Sequence, residues 1–297
     1  MKNPKFRNFF LLTLLALCWG PSFLFIKVAI EHFEPVTLTF LRVGIAAILL
    51  YLILRFKKVN LSVAKNLWHH FVFLGFIGSA LPFTLFNFAE KTVSSSLAGI
   101  FNGMVPLITI VIAHYATKDD KLTKNKFWGA IIGFIGLSIL VAPKLFGASA
   151  TFVGILALMV AVTCYSVAFV YSRKYIKGLN PLISSTMQLS VATLILLPLS
   201  LIFESPFQIG HVPAKSILSL LALAVFGTSL AFILLYKIIE LTNASYVSMV
   251  NYMIPVIGII LGVAILHESL SFSSVVGCLI IMSGVMIANG VFGRRKS

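Results

Sequence analysis

Asn102 and Asn251 are the residues whose type and spacing first suggest chemistry. Each stands in a long apolar run, and each precedes a proline, Pro106 or Pro255, by four positions. A carboxamide offers two donors and an acceptor. A proline lacks an N–H and crowds the carbonyl four residues before it. The pattern predicts a polar notch at two places of equal depth, an amide beside a freed carbonyl, suited to an amine, hydroxyl or carboxylate of a small solute. Trp19 and Tyr165 also stand at matched positions. Each has an apolar body and a polar tip, so the pair could flank a cavity and stack on an aromatic or cationic solute. Phe23, Phe101, Asn87, Tyr236 and Tyr252 are weaker candidates of the same kind. The structural alternative for all of them is helix-to-helix bonding or packing.

Two cations fall inside apolar runs. Arg42 and Lys27 are expected to act structurally or electrostatically, by reaching toward the headgroups or pairing with Glu31 or Glu34. An electropositive vestibule that draws an anionic group is the functional alternative for Arg42. The eight carboxylates are Glu31, Glu34, Glu90, Asp119, Asp120, Glu204, Glu240 and Glu268, all near the ends of apolar runs or between them. No proton-carrying carboxyl is therefore expected at mid-depth, with Glu90 and Glu240 coming nearest. Cys18, Cys164 and Cys278 have no metal-ligand spacing, and HExxH is missing. No cofactor or metal is expected, and an intramembrane enzyme is a poor reading. A channel lacks its rings of charge and filter loops.

The elements that must hold these residues are set by composition. Of 297 residues, 59% are hydrophobic and 10% charged, and mean hydropathy is +1.04. Soluble domains are about 45–50% apolar and about 25% charged. A bilayer is crossed by about 20 apolar residues in a helix. Ten such runs stand at 9–30, 36–56, 69–89, 94–116, 126–143, 152–172, 181–203, 216–239, 244–265 and 272–292. The runs lack the alternation of a membrane barrel. The first run outlasts a cleaved leader, and Leu17 before Cys18 is not a small residue. Gly99-x-x-x-Gly103, Gly129-x-x-x-Gly133 and Gly258-x-x-x-Gly262 are candidates for close helix crossings.

Ten spans alternate the connections between two sides. One side collects 18 of the 23 Lys and Arg residues, from the N-terminus, the clusters at 55–65, 118–126 and 173–177, Lys237 and the C-terminus. That side is cytoplasmic by the positive-inside rule, which also accounts for a net charge of +15 without nucleic acid.

The chain also compares with itself. A shift of 146 aligns Cys18 with Cys164, Lys27 with Arg173, Pro35 with Pro181 and Arg42 with Gln188. A shift of 149 aligns Gly78 with Gly227, Asn87 with Tyr236, Asn102 with Asn251 and Pro106 with Pro255. Each copy holds five spans, and an odd number inverts the second copy in the bilayer. Inverted repeats with a solute site between them are a device of secondary transporters.

The residues LCWGPSFLFIKVAI at 17–30, EPVTLTFLRVGIAAI at 34–48, NGMVPLITIVIA at 102–113, NYMIPVIGIILGVAILHESLS at 251–271 and GCLIIMSGVMIANG at 277–290 carry a family likeness. In them the chain resembles the drug/metabolite transporter superfamily, in its ten-span EamA-like branch. The resemblance implies an all-α membrane protein of ten transmembrane helices, built as two inverted five-helix repeats at 1–145 and 150–297. It implies transport of a small organic solute, such as an amino acid, metabolite or drug-like cation, with export common. The expected surroundings are the inner membrane and its lipid, with both termini cytoplasmic, in a monomer or homodimer. Cysteines placed at Ser149 and Ser297 should react with an impermeant thiol reagent from opposite faces of the membrane. Reaction from one face at both positions contradicts the topology.

Overall fold

The computed structural model describes residues 4–142, 151–204, 212–266 and 272–289, so Glu268 lies outside the described residues. Every regular element among them is helical. The first half holds α1 (Pro4–Trp19), α2 (Ser22–Ala29), α3 (Pro35–Phe56), α4 (Trp68–Gly75), α5 (Leu81–Glu90), α6 (Ser95–Asn102), α7 (Val105–Ala116) and α8 (Lys124–Val141). The second holds α9 (Phe152–Tyr175), α10 (Pro181–Phe203), α11 (Ala214–Ala224), α12 (Ala231–Leu241), α13 (Ala244–Ser248), α14 (Val250–Leu266) and α15 (Phe272–Ala288).

Helices dominate because an apolar backbone must bond to itself where water is excluded. Their starts follow local rules. Pro35 and Pro181 open α3 and α10, where the missing N–H costs nothing. Side chains of Ser94, Thr123, Thr151, Asn180 and Asn243 accept the first free N–H groups of the helices that follow them. Pro21 separates α1 from α2, whereas α9, which has no proline at the matching place, runs unbroken.

Eight helices among the described residues are long and apolar enough to cross a membrane: Pro4–Ala29, Pro35–Phe56, Lys65–Glu90, Leu97–Ala116, Lys124–Val141, Phe152–Tyr175, Pro181–Phe203 and Ala214–Leu241. Two shorter apolar helices, Ala244–Ile257 and Val275–Ala288, stand where the ninth and tenth spans were expected.

The halves touch through corresponding elements. Helix α3 packs on α10, and α8 on α15. Helix α5 packs on α9 as α12 packs on α1, and α7 packs on α9 as α14 packs on α1. Polar contacts between connections keep the same order. Glu31 meets Lys215 at 3.5 Å, Glu34 meets Lys91, and Glu204 accepts from the N–H groups of Val36 and Thr37 at 3.0 and 2.6 Å. Asp119 meets Arg173 at 2.6 Å, and Asp120 meets Lys126 and the Ser245 N–H, the latter at 2.8 Å. Each contact joins connections that the sequence assigns to one face.

Helices α8 and α15 approach backbone to backbone. A Cβ on Gly284 would stand 2.5 Å from the Gly133 nitrogen, and one on Gly129 would stand 2.7 Å from the Gly284 oxygen. The Gly129-x-x-x-Gly133 pattern thus serves a crossing between the halves of one chain. Gly99, by contrast, faces open space. Gly284→Ala should lower stability by about 1–3 kcal/mol, the usual cost of overpacking. Thermal unfolding in detergent reads this as a lower midpoint, and an unchanged midpoint contradicts the close crossing.

Candidate functional site

The polar groups converge where the two halves meet. Asn102 is the last residue of α6, and Asn251 is the second residue of α14. Their amides touch: Asn102 Nδ2 donates to Asn251 Oδ1 at 3.0 Å, and Asn251 Nδ2 donates to the Ser248 carbonyl at 2.8 Å. Both side chains are buried. The expected proline notch forms differently in each half. The first helix breaks at Gly103 and Met104, and Pro106 is the second residue of the new helix α7. Pro255 lies inside α14, as the sequence suggested.

Against the asparagine pair, where the halves meet, lies a small cavity of about 70 Å³. Sites for small ligands are about 300–1,000 Å³, so the cavity in this form is smaller than an ordinary ligand site. Trp19, Ser22, Phe23 and Ile26 line it from α1, α2 and the bend between them; Arg42, Phe83 and Phe86 line it from α3 and α5. Tyr165, Phe169 and Ile254 complete the wall from the second half. Three pairs of wall residues are repeat counterparts: Trp19 and Tyr165, Phe23 and Phe169, Asn102 and Asn251. The rings of Phe86 and Tyr165 stack with centroids 5.7 Å apart.

Four weaker candidates are not among the described residues that line this cavity. Asn87 donates to the Pro35 carbonyl and to Thr39 Oγ1, at 3.3 and 2.9 Å. The Tyr236 hydroxyl donates to Gln188 Oε1, and the Tyr252 hydroxyl donates to the Ala130 carbonyl at 2.8 Å. Phe101 packs against the core. In these positions each holds one helix to another.

Arg42 corrects an expectation. It pairs with neither Glu31 nor Glu34, whose partners are Lys215 and Lys91. Its Nε donates to Thr228 Oγ1 at 2.7 Å, its Nη2 donates to the Gly227 carbonyl at 3.1 Å, and its Cζ lies 4.3 Å from the centre of the Phe83 ring. The reason is helix geometry. Residues Val225–Leu230 form a π-helical turn, and so do Phe76–Ala80 at matching positions in the first half. A π-turn bonds five residues back and loosens the regular ladder. Thr228 and Ser229 hydroxyls take carbonyls five residues back, Leu223 and Ala224, at 2.8 and 2.9 Å. The Gly227 carbonyl is left to accept from both Arg42 and Trp19 Nε1, each at 3.1 Å. In the other half, Gln188 Nε2 donates to Ser79 Oγ at 2.9 Å. Sequence comparison aligned Gly78 with Gly227, but no residue type announces a π-turn.

Two cations latch opposite parts of the site in matching ways. Lys27 Nζ donates to the Glu90 carbonyl at 3.0 Å, and its counterpart Arg173 donates through Nη1 to the Ile239 carbonyl at 2.8 Å. The acceptors are counterparts too. Arg173 holds Asp119 besides, at 2.6 and 3.1 Å. The Glu90 side chain ends α5 but is fully buried; Ser95 donates to its Oε2 at 3.3 Å, and its Oε1 has no partner among the described residues. No group of three or more His, Cys, Asp or Glu side chains among the described residues could hold a metal ion.

The chain is a member of the EamA-like transporter family, which matches residues 7–142 and 152–290. It is 25% identical over 284 residues to the uncharacterized transporter YoaV of Bacillus subtilis (strain 168), covering 95% of this chain and 96% of that one. It is 24% identical over 283 residues to the protein PecM of Dickeya dadantii (strain 3937), covering 94% and 91%. A solved crystal structure of a protein 19% identical in sequence superposes with a TM-score of 0.80 over 98% of this chain and 99% of that one, which shows the fold.

Asp119 gives the Arg173 latch a pH dependence. Partial burial raises the Asp119 pKa, but hydrogen bonds and charge from Arg173, with the charge of Lys177, outweigh this and hold it below the ordinary carboxylate value. The bond therefore contributes in full above about pH 4, where the unfolded carboxyl is ionised, and is lost as pH falls through the lower folded value. Asp119 is half-exposed, so the contribution is less than about 1 kcal/mol after solvent screening. Asp119→Asn should lower the unfolding midpoint slightly at neutral pH, with the difference from wild type narrowing as pH falls below about 4. A difference that persists in acid contradicts the assignment.

Proposed function

We propose that the chain is a secondary transporter that carries a small organic solute by alternating access, with export its working direction. The solute is of the size of an amino acid, a metabolite or a drug-like compound. The reading includes ten spans in two inverted five-helix repeats, 1–145 and 150–297, in the inner membrane with both termini cytoplasmic. The observation that carries it is the direct Asn102–Asn251 bond between repeat counterparts, in the lining of a cavity that both halves wall. Support comes also from the matched π-turns, the matched latches and the pairing of corresponding helices across the halves.

In this mechanism the cavity widens and the solute binds among the rings of Trp19, Phe23, Phe86 and Tyr165, against the asparagine pair. The Lys27 and Arg173 latches release in turn, each opening the cavity to one side. The π-turns supply the bending points, because their ladders are already loosened. A ligand that binds the folded protein raises its stability, by about 2.7 kcal/mol at a hundredfold excess over Kd. Metabolites that raise the unfolding midpoint of the purified protein should lose that effect in Asn102→Ala and Asn251→Ala. Equal shifts in wild type and both variants contradict a solute site at the pair.

A further inference from the structure

The polarity of the cavity is uneven in a way the repeat does not require. Arg42 and Gln188 are counterparts, and each donates to the hydroxyl of a matching π-turn, Thr228 or Ser79. An uncharged amide meets that structural need in one half. A guanidinium exceeds it, and a charge held at 4% exposure is costly without a counter-ion. Among the described residues, no carboxylate lies within ion-pair distance of Arg42. Glu90 acts on it only at longer range.

The two counterparts also differ in what remains free. Gln188 lies off the cavity, with its Oε1 taken up by the Tyr236 hydroxyl. Arg42 lines the cavity. Its bonds to Thr228 and Gly227 use Nε and Nη2 and leave Nη1 over. The guanidinium lies over the Phe83 ring, and its planar fork suits a carboxylate. No Asp or Glu is among the residues described as lining the cavity, and the remaining wall is mainly aromatic.

We propose that Arg42 is the anion anchor of the cavity and that the solute carries a carboxylate on an aromatic or apolar body. The proposal rests on reading the cavity as the solute site and narrows the class of solute. The carboxylate accepts from the guanidinium, and the body lies against the neighbouring rings.

Three matched probes test it on the purified full-length protein: phenylacetate, phenylacetamide and phenethylamine, read by thermal shift and tryptophan fluorescence. Phenylacetate should bind best, with the amide about tenfold weaker or more, since the charged hydrogen bond is lost. Arg42→Gln copies the arrangement that the other half already accommodates. It should weaken phenylacetate about tenfold or more and leave phenylacetamide within about twofold. Phenylacetate binding unchanged in Arg42→Gln overturns the proposal. The wild-type order of affinities decides independently should that variant not fold: amine or amide equal to or above carboxylate overturns the proposal and leaves the cavity reading intact. If none of the three binds, and a wider metabolite panel leaves wild type and Asn102→Ala alike, both readings fail.

Discussion

A polar group held away from water must find its partner within the protein, because hydrocarbon offers none. In this chain the partners at the centre come from the opposite half. Asn102 bonds Asn251, Arg42 and Trp19 bond the Gly227 carbonyl, and Gln188 bonds Ser79. Each bond spans a large separation in sequence, so none forms until both halves are folded and docked. The cavity lies where this cross-bonding stops and aromatic faces take over. Its walls are therefore fixed by polar contacts while its interior remains mainly apolar.

In the proposed alternation between two open forms, this cross-bonding is what would have to give. Ridges of packed apolar side chains slide poorly, whereas a loosened π-turn and a single cation on a backbone carbonyl release at little cost. The two latches differ in strength. Lys27 donates one bond at 3.0 Å to the Glu90 carbonyl. Arg173 adds a carboxylate to its carbonyl acceptors. The α8–α15 crossing, glycine against backbone, has no such slack and forms a fixed seam between the halves.

Much of this was legible in the sequence, and the omissions have physical causes. Helical class and most span positions follow from long apolar runs. Self-comparison matched Asn102 with Asn251 as two polar notches of equal depth, but not their direct bond, because equal depth does not fix the distance between two helices. The cavity aromatics Trp19 and Tyr165 were found in the same way. Arg42 was misassigned because its charge suggested the nearest acids, Glu31 and Glu34, while its acceptors lie 185 and 186 residues further along the chain. The π-turns were missed because a change from four- to five-residue bonding leaves no trace in composition. Pro106 was expected inside an unbroken span, whereas the chain breaks at Gly103 and Met104 and the proline stands in the first turn of α7. Glu90 was placed at a helix end, which it is, but a helix end can still be wholly buried.

The central claim is that one cavity serves both sides of the membrane. Ser22 lines it and carries a small side chain. A single cysteine at that position, with Cys18, Cys164 and Cys278 replaced by serine, reports its exposure to an impermeant thiol reagent in right-side-out and in inside-out vesicles. The account predicts reaction in both orientations. Reaction from one face alone, unchanged across solutes and pH, would contradict it.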